Sequence, residues 1–399
     1  MVAYLDHAAS TPVRPEALSA YTAALTHAGN PSSVHRHGQA ARAQVEEARE
    51  YLATVLGCEP IEVIFTSGGT ESINLAIVGL FRAAVEANPV RRRILVPEAE
   101  HHATLDTVIW LEQHEGAVIE WIPVDEYGRI RLNALEENLE RDPSSLALLT
   151  LLWANNEVGT IQPIAEVAAL AATRRIPLHI DAVSAFGHVS FNFAELRTAS
   201  GATGNSGLVA LSISGHKFGS VPGVGALVVS RQAQLEPLIH GGGQQRGLRS
   251  GTLDAPAIVS MSTAALMVDK TQVSEHSRLT ALRDATIARI QELIPDAVLS
   301  GDPANRLDNN VNFTFPGCQS DSLLFLLDAH GVSVSTGSAC QAGVAQPSHV
   351  LLAMGHDERG ASSALRITLG HTTTQAELDE FLAALPEAVD RARRAGTTA

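Results

Sequence analysis

The chain of 399 residues holds only three cysteines, Cys58, Cys318 and Cys340, with no Cys-x-x-Cys pair among them. That spacing excludes a disulfide scaffold and offers no structural zinc pattern, so each thiol is judged by its own surroundings. Positive charge is scarce too: 28 Lys and Arg against 43 Asp and Glu leave a net charge of -15. A general nucleic-acid binder needs clustered cations, and the one basic run, Arg91-Arg92-Arg93, reads as a solvated loop before a strand. Long apolar runs are also missing. The longest, Leu146 to Leu149 and Leu151 to Ala154 around Thr150, is far shorter than the ~20 residues that span a bilayer. No leader pattern precedes Tyr4-Leu5-Asp6, so a cytoplasmic protein without a membrane or direct nucleic-acid partner is expected. Neither repeats nor a low-complexity linker interrupt the chain.

What is present is an alternation of strand and helix signals. Glu62-Val63-Ile64-Phe65-Thr66 runs into the glycine turn Ser67-Gly68-Gly69-Thr70, which opens a helix. Further apolar strands read near 94–96, 118–122, 146–152, 177–180, 208–213 and 225–229, with helical spacing between most of them. Such alternation predicts an α/β fold: a large domain over residues 14–256 with a mainly parallel seven-stranded sheet flanked by helices. Past about residue 256 the pattern changes to a long helix over 256–293, an alternating strand Val311 to Phe315, and a helix with Ser320 as its N-cap. A last helix carries the stripe Leu378, Phe381, Leu382, Leu385 and Val389. Residues 1–13 and 257–399 are expected to form a smaller α+β domain.

Asp181 ends one apolar strand, and Lys217, 36 residues later in Ser214-Gly215-His216-Lys217, follows another. A carboxylate for a pyridine nitrogen and an amine for a Schiff base are what pyridoxal 5'-phosphate requires. A Lys among apolar neighbours and beside His216 has its ammonium form disfavoured. Gly69 and Thr70 enter a helix whose free N–H groups would favour a phosphate. Cys340 stands in a small-residue and polar segment, Ser335 to Gln346, that reads as a mobile, accessible loop; Cys58, after Leu56-Gly57, reads as a small buried hydrophobe. Singly, each feature has a plainer reading: a turn, a helix cap, a surface Lys, an exposed strand Arg at Arg366.

In combination the motifs resemble the cysteine desulfurases of the NifS/IscS type, within the class V aminotransferase group and the fold-type I pyridoxal phosphate enzymes. The resemblance runs nearly end to end through Tyr4-Leu5-Asp6-His7-Ala8-Ala9, Gly29-Asn30-Pro31-Ser32-Ser33, Thr66 to Ser72, Glu100-His101-His102, Asn155-Asn156-Glu157-Val158-Gly159, Ser214 to Lys217, His240 to Gly247, Arg249-Ser250-Gly251-Thr252 and Ser335 to Cys340. It implies that Lys217 holds the cofactor, Asp181 meets the ring nitrogen, and His101 stacks on the ring and handles protons at the substrate thiol. Asn156 is implied near the ring hydroxyl and the substrate carboxylate, and Arg366 as the carboxylate's guanidinium partner. Gly69, Thr70, Ser214 and His216 match the phosphate site, with Thr252 supplied by the other subunit of a homodimer. Cys340 is implied as the thiolate that takes sulfur from L-cysteine, leaving L-alanine and a persulfide for an acceptor such as an iron-sulfur scaffold or tRNA-thiolation protein.

Two departures stand out. Ser184 occupies a position where the family typically has Gln against the ring oxygen, and a water could fill the gap. The segment around Cys340 resembles the family's long form, which serves separate acceptors, but is about a residue shorter. The competing readings are a selenocysteine lyase or aminotransferase on the same cofactor, a non-catalytic scaffold, and a metal enzyme using His35, His37, His101 and His102. The last lacks Glu or Cys at a metal-site spacing.

Overall fold

Strands in which every residue is apolar mark a sheet covered on both faces. The computed structural model describes residues 3–337 and 346–396, so Cys340 lies outside the described residues. The chain runs through β1 (Ala3–Tyr4), α1 (Pro15–Leu25), α2 (Arg36–Leu56), β2 (Val63–Thr66), α3 (Gly69–Ala87), β3 (Arg93–Pro97), α4 (His102–Glu115), β4 (Val118–Ile122), α5 (Leu132–Glu140) and β5 (Leu146–Leu152). It continues through α6 (Ile164–Thr173), β6 (Pro177–Asp181), α7 (Phe193–Ser200), β7 (Gly207–Ser214), β8 (Gly225–Val229) and α8 (Ala255–Leu293). The remainder comprises β9 (Val298–Leu299), β10 (Asn310–Thr314), α9 (Ser320–Ala329), β11 (Val332–Ser333), α10 (His349–Ala353), α11 (Glu358–Ala361), β12 (Ala364–Thr368) and α12 (Gln375–Gly396).

The seven-stranded sheet has the order β2-β8-β7-β6-β5-β3-β4. It is parallel throughout except at β8, which runs antiparallel to β2 and β7. Alternate side chains feed opposite cores: Leu149, Leu151, Ile180 and Leu211 pack on one face, and Leu148 and Val209 join Ile73, Ile77 and Phe81 of α3 on the other. Each such fully buried side chain contributes roughly 1.5–3 kcal/mol. Gly225 opens β8 so close to Gly68 that an added Cβ would lie 2.6 Å from that residue's carbonyl carbon. Glycine is therefore required where β8 meets the turn before α3.

A three-stranded antiparallel sheet, β12-β10-β9, and the parallel pair β1-β11 surround a separate core of Leu5, Phe313, Leu323, Leu327, Ile367 and Phe381. Three sequence expectations are corrected here. Ser320 does not cap α9, because its hydroxyl donates to the Ser362 carbonyl at 2.7 Å and Gln319 holds the cap position. Arg91-Arg92-Arg93 is no solvated loop: Arg93 lies buried on β3 against Glu120 and the Asp142 carbonyl, Arg91 reaches Leu146 O at 2.8 Å, and Arg92 reaches Glu115 O at 2.7 Å. Arg366 sits on β12 at 5% exposure, not on an exposed strand. Among the described residues no helix is long and apolar enough to cross a membrane.

Candidate active site

Parallel strands present their C-terminal ends on one side of a sheet, where open α/β folds bind ligands. The chain leaves β2, β3, β5, β6 and β7 there through the segments that hold Gly69 and Thr70, His101, Asn156, Asp181 and Lys217. Together with Ser184, Ser214, His216 and Arg366 these residues line one cleft of about 410 Å³. Thr252 is not among the residues lining it and stands exposed before α8.

Lys217 ends a short turn after β7, and its Nζ donates to the carbonyls of Ala8 at 2.5 Å and Ala9 at 3.0 Å. Burial pushes its pKa down to about 8, helped by Arg366 and opposed by Asp6 and Asp181. Only one other lysine exists in the chain, the exposed Lys270. That count was available in the sequence and would have singled out Lys217 without any motif.

Asp181 is buried in the cleft wall and accepts from Val183 N–H at 2.9 Å; burial raises its pKa to about 6 against the pull of that N–H and of Lys217. Two residues earlier on the same face, His179 links β5 and β7 through Thr150 at 2.9 Å and Ser212 at 2.8 Å. Burial drives His179 down to about 3, so it is a neutral structural tie.

His101 is the N-cap of α4, its Nδ1 accepting from Ala103 N–H at 3.0 Å. With Nδ1 so occupied, the neutral ring carries its proton on Nε2. The ring opens to the cleft, yet desolvation by its surroundings and then Lys217 push its pKa down to about 4.

Arg366 Nη1 donates to Asn156 O at 3.0 Å and Nη2 to Asp6 Oδ1 at 2.8 Å, while Nε is buried without a partner among the described residues. A guanidinium that lines the cleft and is held on two sides is suited to a carboxylate. Asp6, Ala8 and Ala9 belong to the first motif of the resemblance, but the sequence assigns them no role, because they reach the site from the far end of the chain.

Gly69 starts α3, and a Cβ there would stand 2.8 Å from Val183 Cγ2 and 3.2 Å from Ser214 Cβ. Gly68, at the cap position, provides no side-chain acceptor, so the first N–H groups of α3 remain available. Glu71 in that first turn is paired with Arg249 Nε at 2.8 Å, which removes its repulsion for an anion. Ser184 lines the cleft and also a smaller cavity shared with His188, Asn309 and Asn310. Cys318 is buried, and burial pushes Cys58 up to about 12, so neither is a ready thiolate.

A carboxyl raised by burial, a lysine with a depressed pKa, and an uncapped helix start with a tight glycine form a donor set that fits pyridoxal 5'-phosphate. The family model for aminotransferase class V matches residues 3–381. The chain belongs to the class V aminotransferase family. Within it, the chain is of the NifS/IscS type. It is 49% identical to the "IscS-like cysteine desulfurase" of Mycobacterium tuberculosis over 399 residues, covering 100% of this chain and 99% of the relative. A solved "NIFS-LIKE PROTEIN" superposes with a TM-score of 0.87 at 32% identity, covering 98% of this chain and 100% of the other. A structure described as "SspA in complex with cysteine" matches with a TM-score of 0.76 at 32% identity, over 93% of this chain and 99% of that one. The fold-type I architecture expected from the sequence is thus present.

Proposed function

We propose that the protein is a cysteine desulfurase that uses pyridoxal 5'-phosphate to convert L-cysteine to L-alanine, with the sulfur retained as a persulfide on Cys340. The observation that carries this reading is the meeting of Lys217 and Arg366 in one cleft. Amine chemistry beside a carboxylate anchor describes an α-amino acid, and the relatives' names specify cysteine.

Asp181 would hold the ring nitrogen, and Ser184 and Asn156 the ring oxygen. Gly69, Thr70, Ser214 and His216 would hold the phosphate, joined by Thr252 of the partner subunit in a homodimer. When bound, the cofactor supplies an electron sink for the charge left on Cα as its proton departs. Lys217, near neutrality in its pKa, attaches the cofactor and serves as the base for that proton. Arg366 orients the substrate through its carboxylate. His101, neutral with its proton on Nε2, holds or passes a proton at the substrate thiol. The Cys340 thiolate forms a bond to the substrate sulfur while the carbon–sulfur bond breaks, and the electron pair left on carbon takes a proton. The net change is L-cysteine and a thiol to L-alanine and a persulfide, with no external oxidant.

The persulfide then passes to an acceptor, an iron-sulfur scaffold or a thiolation enzyme. A reducing compartment such as the cytoplasm suits this chemistry, since the thiol must stay free. The separate cores around the two larger sheets support a large and a small domain, at 14–256 and at 1–13 with 257–399, while the first part of α8, Ala257 to Val268, packs in the larger core. The test is an assay of alanine and reductant-released sulfide from L-cysteine. The unsubstituted protein should yield both, and Cys340→Ala should lose sulfur transfer; sulfur release untouched by the substitution would favour a lyase.

A further inference from the structure

Strand β3 pairs with β5 only as far as Leu95 against Leu149. Beyond that register it turns toward β4, where Glu98 N–H donates to Ile122 O at 3.1 Å. Leu152, which ends β5 and lines the cleft, is therefore left without a strand on that side. Its N–H is satisfied by a side chain, donating to Glu100 Oε1 at 2.9 Å. Glu100 is 1% exposed, and its Oε2 is buried with no hydrogen-bond partner among the described residues. Its charged neighbour is Asp181, a second carboxylate, and burial and Asp181 hold its pKa well above the ordinary carboxylate range.

An ionised carboxylate so enclosed needs a cation or several donors, and one peptide N–H beside another acid is insufficient. The surrounding backbone is pinned as well: Ala99 O accepts from Asn155 Nδ2 at 3.0 Å, and Glu100 O accepts from His349 Nε2 at 2.8 Å. His101 and His102 follow Glu100 on this segment, and His349 of α10 faces it, the rings of His102 and His349 5.0 Å apart. The next residue along the chain is His101.

We propose that Glu100 is a positioning residue of the reaction, a neutral carboxylic acid that takes the place of a strand at the end of β5 and so fixes the segment that directs His101 into the cleft. Its neutrality also spares Asp181 a repulsion that would favour protonation of Asp181 itself. The activity part of this inference rests on the desulfurase reading; the spectroscopic part does not.

The test compares the purified holoenzyme with Glu100→Gln and Glu100→Ala. Infrared spectra of the unsubstituted protein at neutral pH should contain a protonated-carboxyl carbonyl band that Glu100→Gln removes. Glu100→Gln, which keeps an acceptor for Leu152 N–H and stays neutral, should retain kcat within about threefold and leave the pH profile and the His101 imidazole resonances in place. Glu100→Ala should shift those resonances and lower kcat about a hundredfold, the scale of an ångström of misplacement. Absence of the infrared band, or a Glu100→Gln variant as impaired as Glu100→Ala, would overturn the proposal. Should Glu100→Ala fail to fold, the band and the Gln variant still decide. Should the unsubstituted protein fail to desulfurate cysteine, the functional reading fails while the band and the resonances still test Glu100.

Discussion

Replacing Asp181 by Asn is expected to stabilise the protein stripped of its cofactor while abolishing turnover. Burial raises this carboxyl from 3.8 to about 6 in the folded chain. Between those values the folded state binds more protons than the unfolded one, so stability falls as pH rises through the window and the full loss is present above it. Two units at 1.36 kcal/mol each amount to about 3 kcal/mol at neutral pH. Asn retains an oxygen for the Val183 N–H and carries no charge, so it recovers most of that loss. Part is returned because Lys217 loses an attractive neighbour, which leaves a net gain of about 2 kcal/mol. Urea unfolding at fixed protein concentration should show Asp181→Asn above the parent at pH 7.5, with the gap reduced by roughly 1 kcal/mol at pH 5. Adding pyridoxal 5'-phosphate should stabilise the parent more than the variant, since Asp181 then gains its cationic partner. A variant less stable than the parent at pH 7.5 without cofactor, or a gap that widens on acidification, would refute the reasoning.

Gly69→Ala places a methyl 2.8 Å from Val183 Cγ2 and should weaken cofactor affinity about tenfold, read by titrating the visible absorbance; unchanged affinity would contradict the tight start of α3. Arg366→Lys keeps the charge but loses the planar fork, and should cut kcat/KM for L-cysteine by about 10- to 100-fold, mostly through KM in steady-state assays. Gly370→Ala would drive a methyl into the His7 ring and should lower stability by roughly 1–3 kcal/mol in a thermal melt, with kcat preserved in the folded fraction.

Much of the site was legible because its residues fall at strand ends in short motifs, and parallel strands bring those ends together whatever the loops do. Lys217, Asp181, His101 and Asn156 illustrate this, each following a strand of the same sheet. The carboxylate partner of Arg366 was not legible. Asp6 lies 360 residues away and meets it only because the chain folds back to bridge Asp6 with Thr368 of β12. No local period encodes such a return. Composition misled at Arg91-Arg92-Arg93, where a run of cations suggested solvent and the carbonyls at the ends of neighbouring elements claimed the side chains instead. Glu100 shows the same limit, since a buried acid has the same letter as a solvated one until its surroundings are known.

The central claim is that sulfur leaves L-cysteine for Cys340. Its most direct test is a single turnover with L-cysteine, followed by thiol trapping and mass analysis of the peptide bearing Cys340, with alanine measured in parallel. The account predicts that this peptide gains one sulfur atom for each alanine formed. Alanine produced with no added sulfur on that peptide would contradict it.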